Sequence, residues 1–382
     1  LYAYHPSIAF AVNCLILVSN AASLAGVAIV GGEYITGIII PHSKDLAYLA
    51  NPDNAQHVQT VQNIIAIVAI LIFYGVNLLG LKMSARTQNV LTVIKITLIL
   101  LLITPLFFST PPDLSHATPE AMRHFTFMEY LKAFGVGLVA VSFTYGGYQQ
   151  TINFGAEVKE PNKIIPRGIF FGIFIIIALY LTINYAYIHV IGFEQLKESK
   201  NIAAIMASKI FGESAERILS VLLFLSVLAY VNVLLMSNPR VMFAMSQDKI
   251  LPAIFKRRNA KTDALTVSLS VFAGMCIIIV LWAKKFDDIL SFSIFLDCFG
   301  MILSAGSIFM LRKKTAHLTS KDIFIMRWYP LQPLVFIAAY GFVAISLLIN
   351  ETKLSLIGLG VLSAFIAIYF LVHKSSTESK PE

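Results

Sequence analysis

The 382-residue sequence is short of charge: Asp, Glu, Lys and Arg make up only 13% of it, about half the share usual in soluble domains. A water-facing surface needs more charged side chains than that, so a soluble globular protein is excluded. Cysteine is scarce as well. Cys14, Cys276 and Cys298 stand singly in apolar stretches, with no Cys-x-x-Cys pair and no His at a zinc-ligand spacing, which removes a disulfide scaffold and a structural zinc site and leaves buried free thiols. Long polar segments are missing too, and with them a separate soluble domain. His-Glu-x-x-His, Gly-x-Ser-x-Gly, a phosphate loop and a dinucleotide fingerprint are all absent, so no enzyme chemistry, cofactor or metal is indicated.

What is present is apolar: 57% of the residues are hydrophobic and the mean hydropathy is +0.77. Ten runs reach the length needed to cross a hydrocarbon layer of about 30 Å as helix. They lie at 7–39, 61–80, 88–109, 132–153, 166–191, 214–238, 263–283, 288–311, 330–349 and 353–373. The expected fold is an all-α polytopic membrane protein, with one transmembrane domain over 1–373 and a disordered cytoplasmic tail over 374–382. The net charge of +8 does not indicate nucleic acid, because the basic residues are spread over the short gaps between runs instead of clustering on one face. If the first residues are cytoplasmic, 18 Lys and Arg fall inside and 10 outside, Lys95 being the twenty-ninth. The positive-inside rule therefore puts both ends in the cytoplasm.

Three features break the apolar pattern. Lys95 lies within the run 88–109, flanked by Ile94 and Ile96, where a charge costs roughly 2.5–3.5 kcal/mol on insertion scales and marks a functional candidate. It faces a partner or a watery cavity, as a proton carrier, a fixed charge or a structural group. Asp297 sits mid-span in Phe295-Leu296-Asp297-Cys298-Phe299-Gly300 and is either protonated or paired there, for a proton, a substrate or a structural bond. The third feature is Ser142-Phe143-Thr144-Tyr145-Gly146-Gly147-Tyr148. Adjacent glycines favour a broken helix, whose freed carbonyls and amides bind ions at the midplane, or else close packing of helices on small residues.

The order of motifs resembles that of the amino acid–polyamine–organocation permeases, and most of all their L-type amino acid transporter branch. It is carried by Phe143-Thr144-Tyr145-Gly146-Gly147-Tyr148, Glu157, and Glu160-Pro161-Asn162-Lys163-Ile164-Ile165-Pro166-Arg167. Ser84-Ala85-Arg86-Thr87-Gln88-Asn89 before Lys95, Asn238-Pro239-Arg240 and Leu356-Ile357-Gly358-Leu359-Gly360 agree with it. The resemblance implies the inverted-repeat fold of that family, with this chain beginning at the family's third helix, so that its ten runs match helices three to twelve.

By the same resemblance the function is secondary active amino acid transport by alternating access, proton-coupled or by exchange. The alternative is a non-transporting homologue acting as a sensor or partner subunit. Phe143 matches an outer aromatic gate, and backbone around Phe143, Thr144, Tyr145, Gly146 and Gly147 matches the receiver of the substrate ammonium. Lys95 matches a lysine near the place where sodium-coupled relatives hold sodium. Tyr230 replaces a small residue and can narrow the cavity or meet Lys95; Asp297 stands where the family is usually apolar and joins them as a coupling candidate. The expected partners are an amino acid, protons and the bilayer of the plasma or inner membrane, and no disulfide-linked subunit.

Overall fold

The computed structural model describes residues 3–40, 43, 46–108, 126–155, 157–198, 202–212, 215–282, 286–314, 326 and 328–378. Among these, the long elements are all helices: α1 (Pro6–Ile39), α2 (Pro52–Leu78), α3 (Leu81–Ile103), α4 (Phe127–Thr144), α5 (Pro161–Ile191), α6 (Ala215–Gln247), α7 (Thr266–Trp282), α8 (Phe286–Lys314), α9 (Leu331–Asn350) and α10 (Thr352–Glu378). Each of the ten apolar runs overlaps one of them, with ends that differ by up to nine residues. Eight are long and apolar enough to cross a membrane; α7 is a shorter apolar helix, and α4 is outside that set. Helix α10 continues through Glu378, beyond the run that ends at 373 and into the stretch expected to be a disordered tail.

Local chemistry starts and stops these helices. Asn51 accepts a hydrogen bond from the Asp53 amide, and Pro52 fills the first turn of α2, where a missing N–H costs nothing. Thr126 and Glu129 satisfy each other's amides at the start of α4 (2.7 and 3.3 Å), a capping box. Between α2 and α3, Gly80 adopts φ +97° and lies so close to the Thr262 carbonyl that a Cβ would sit 2.3 Å from its oxygen.

The core is built around α1, which packs against α2, α6, α7, α8 and α10. Ala11, Leu15, Ala21, Leu24 and Ala25 are fully buried along it. A helix apolar on all sides is expected at the centre of a bundle. Small residues set the closest approaches: a Cβ on Gly32 would lie 2.5 Å from the Gln62 carbonyl oxygen, and one on Gly300 would lie 2.9 Å from Ile16. Lipid tails are as apolar as leucine, so such close packing, rather than hydrophobicity, holds membrane helices together.

Helix α6 carries Pro239 in its interior. The missing N–H frees the Leu235 carbonyl. Neighbouring carbonyls gain side-chain donors: Asn238 Nδ2 bonds Leu234 (3.0 Å), and the Arg240 guanidinium bonds Met236.

Candidate binding cavity

Helix α4 ends at Thr144, and the chain turns through Tyr145, Gly146 and Gly147 before resuming as a 3-10 segment over Tyr148–Phe154. The last helical bond runs from the Tyr145 amide to the Val141 carbonyl (2.9 Å), and the next along this stretch joins the Gln150 amide to the Gly147 carbonyl (3.0 Å). Among the described residues, no further backbone hydrogen bond outside the helices is made to the carbonyls between those two. Gly147 has φ +99° with open space around its would-be Cβ, so backbone conformation alone calls for glycine there.

This break opens on a cavity of about 470 Å³ walled by α1, α3, α5, α6, α8 and α9. Thr144, Gly146 and Gly147 line it, as do Lys95, Tyr230 and Asp297; the fold brings together residues 95, 144, 146, 147, 230 and 297 from four separate stretches. Two expected residues stand differently. Tyr145 turns its ring onto Tyr180 (centroids 5.3 Å apart) instead of joining the wall, and the side chain of Phe143 lies outside the described residues. The Thr144 hydroxyl donates to the Ala140 carbonyl at 2.8 Å, which leaves its oxygen as an acceptor only.

Hydroxyls and carboxamides dominate the polar wall. Ser23 and Tyr230 share a 2.6 Å hydrogen bond. Ser19 donates to Asp297 Oδ1 at 2.7 Å, with the Ser293 carbonyl at 3.0 Å competing for the same hydrogen. Lys95 is exposed to the cavity, and among the described residues no hydrogen bond or ion pair engages its ammonium.

Below the break lies a buried carboxamide cluster that sequence reasoning missed. Gln150 donates to Asn20 (3.2 Å) and accepts from Ser237 (2.8 Å) and Asn153 (3.1 Å), while Asn20 donates to Asn238 (2.7 Å). A second cluster joins Asn77, Asn232 and Gln88. Uncharged amides inside apolar runs were the available signal, visible in Leu17-Val18-Ser19-Asn20. Just beyond, Glu157 pairs with Arg240 Nε (3.0 Å), whose guanidinium also stacks over Phe154 at 4.6 Å. The 3-10 segment is thereby tied to α1 and α6.

A family model described as amino acid permease matches residues 1–373. The chain is 26% identical over 319 residues to the serine/threonine exchanger SteT of Bacillus subtilis (strain 168), covering 82% of this chain and 70% of that protein. It is 24% identical over 320 residues to the large neutral amino acids transporter small subunit 2 of Rattus norvegicus, covering 81% and 57%. To the branched-chain amino acid permease BcaP of Bacillus subtilis (strain 168) it is 25% identical over 239 residues, covering 63% and 49%. The chain thus spans about half to seven-tenths of the length of these relatives.

Proposed function

This chain belongs to the amino acid permease family, and from that premise we propose that it carries amino acids across the plasma or inner membrane as a secondary transporter working by alternating access. The observation that carries the reading is the broken end of α4 facing a cavity of amino-acid size, about 470 Å³, among long apolar helices. Backbone at Thr144, Gly146 and Gly147 receives the substrate's α-ammonium, since unbonded carbonyls at a helix break are preorganised for a cation. Phe143 closes the site from outside in this reading, with Tyr145 holding the turn through Tyr180.

Lys95, Tyr230 and Asp297 couple the cycle. The Lys95 ammonium holds one conformation by bonding backbone of the moving helices and loosens in the other, while the Tyr230–Ser23 bond links α6 to α1. Coupling is to protons or to exchange, with Asp297 as the group that takes the proton. Both chain ends face the cytoplasm.

The test is uptake of radiolabelled amino acids by the purified protein in liposomes, with each of the twenty offered as competitor, under an imposed pH gradient and by counterflow. Saturable uptake with stereoselective competition is expected. Failure to bind or move any amino acid would remove the reading.

A further inference from the structure

We propose that Asp297 opens this cavity to amino acids with a cationic side chain as well as to neutral ones, its carboxylate holding either a proton or the ammonium group of the substrate. The inference rests on the permease reading and deepens it.

Position is the first argument. Asp297 lines the central cavity and also a second one of about 540 Å³ beside it, walled by Ile16, Ile152, Ile308 and Phe336; Gln149 and Met301 are common to both. The carboxylate therefore stands where two voids meet, within reach of whatever fills either.

Partners are the second. Ser19 bonds Oδ1, and among the described residues no donor reaches Oδ2 and no Lys, Arg or His pairs with the group. The titratable side chains that face it are Tyr230 from α6, Tyr148 from the 3-10 segment and Tyr340 from α9, with Cys298 beside it on α8. None of these supplies a positive charge. Tyr230 is bonded to Ser23, and Tyr148 and Tyr340 lie beside each other. Ser19 is the facing polar group of α1, and Lys95 on α3 is the other charged side chain on the wall, unbonded to it.

A half-buried carboxylate in an apolar span, with a single protein donor among the described residues, is stabilised by a proton or a cation. A substrate can bring that cation. Val227, Ile294 and Met301 in the same wall suit the methylene stem of a basic side chain.

Charge accounting makes the two modes equivalent. A neutral amino acid over a protonated Asp297 and a cationic one over the ionised carboxylate leave the loaded site with the same net charge. When the cationic substrate arrives, the carboxyl proton is released to cavity water. Neutral substrates then travel with a proton and cationic substrates without one.

Ornithine and norvaline test this, because they share one carbon skeleton and differ by the terminal amine. In liposomes with the membrane potential clamped, ornithine is expected to compete with norvaline. An inward proton gradient is expected to stimulate norvaline uptake and not that of ornithine. Asp297→Asn should shift the ratio of half-saturation constants against ornithine by at least about tenfold, the scale of one lost charge-assisted hydrogen bond; Asp297→Glu should retain ornithine. Exclusion of ornithine by the wild-type protein, the same gradient response for both substrates, or an unchanged ratio in folded Asp297→Asn would each overturn the proposal. Norvaline uptake with ornithine excluded sinks this inference alone, whereas neither substrate binding sinks the permease reading with it.

Discussion

Single residues carry most of the chemistry here, and their environments differ in kind. Lys95 is a charge open to the cavity with no partner among the described residues, so its removal should touch function more than folding. Lys95→Ala is expected to abolish gradient-driven uptake in liposomes while the thermal unfolding midpoint and the monodispersity of the detergent-solubilised protein stay close to wild type; undiminished uptake would remove it from coupling. Gln150 is the opposite case. It is buried and bonded to Asn20, Ser237 and Asn153, and Gln150→Leu would leave buried polar groups unpaired at about 1–3 kcal/mol apiece. A clearly lowered unfolding midpoint is expected. Gly147→Ala forces a side chain into left-handed backbone and should cost about 1–2 kcal/mol, although space around it is open. Lys95 and Asp297 were legible in sequence because a charge in an apolar run is conspicuous. Asn20 and Gln150 were not, since an amide contrasts less with its surroundings and its partners lie on other helices.

At the scale of elements, α1 is held by what it lacks. Gly32 lets the α2 backbone approach at Gln62, and Gly32→Ala would push apart two helices that both belong to the core. A cost of about 1–3 kcal/mol is expected from the overpacking. Gly75 on α2 has nothing within 4 Å of its would-be Cβ, so Gly75→Ala should be neutral or stabilising by a few tenths to about 1 kcal/mol through helix propensity; equal effects of the two substitutions on thermal unfolding would contradict the packing account. The break after α4 is an element-scale device as well. The helix ends just before glycines 146 and 147, one of the two outcomes the sequence left open, but the direction of the chain beyond them depends on Gln150, Phe154 and Glu157 meeting α1 and α6. The Glu157–Arg240 pair is only partly buried, so its worth to stability is about 1 kcal/mol or less.

For the whole molecule, alternation of the helices sends the α2–α3 turn, the segment near Glu157 and the α6–α7 loop to one end. The structure brings these together: Gly80 touches Thr262, Glu157 meets Arg240, and Leu81, Glu157, Arg240 and Arg258 line one vestibule of about 360 Å³. In the topology proposed above, the basic loops put this end on the cytoplasmic side. An impermeant maleimide applied to intact cells is then expected to label Asp53→Cys and to spare Lys256→Cys until the membrane is opened; the reverse pattern would invert the topology. The sequence by itself determined the solvent, the fold class and where helices form, because hydropathy, caps and glycine breaks act locally. Only the tertiary structure decided that Lys95, Gly147, Tyr230 and Asp297 share one cavity, that Tyr145 turns away from it, and that a carboxamide cluster lies beneath. Those outcomes depend on helix packing across more than 200 residues of chain, which no local pattern specifies.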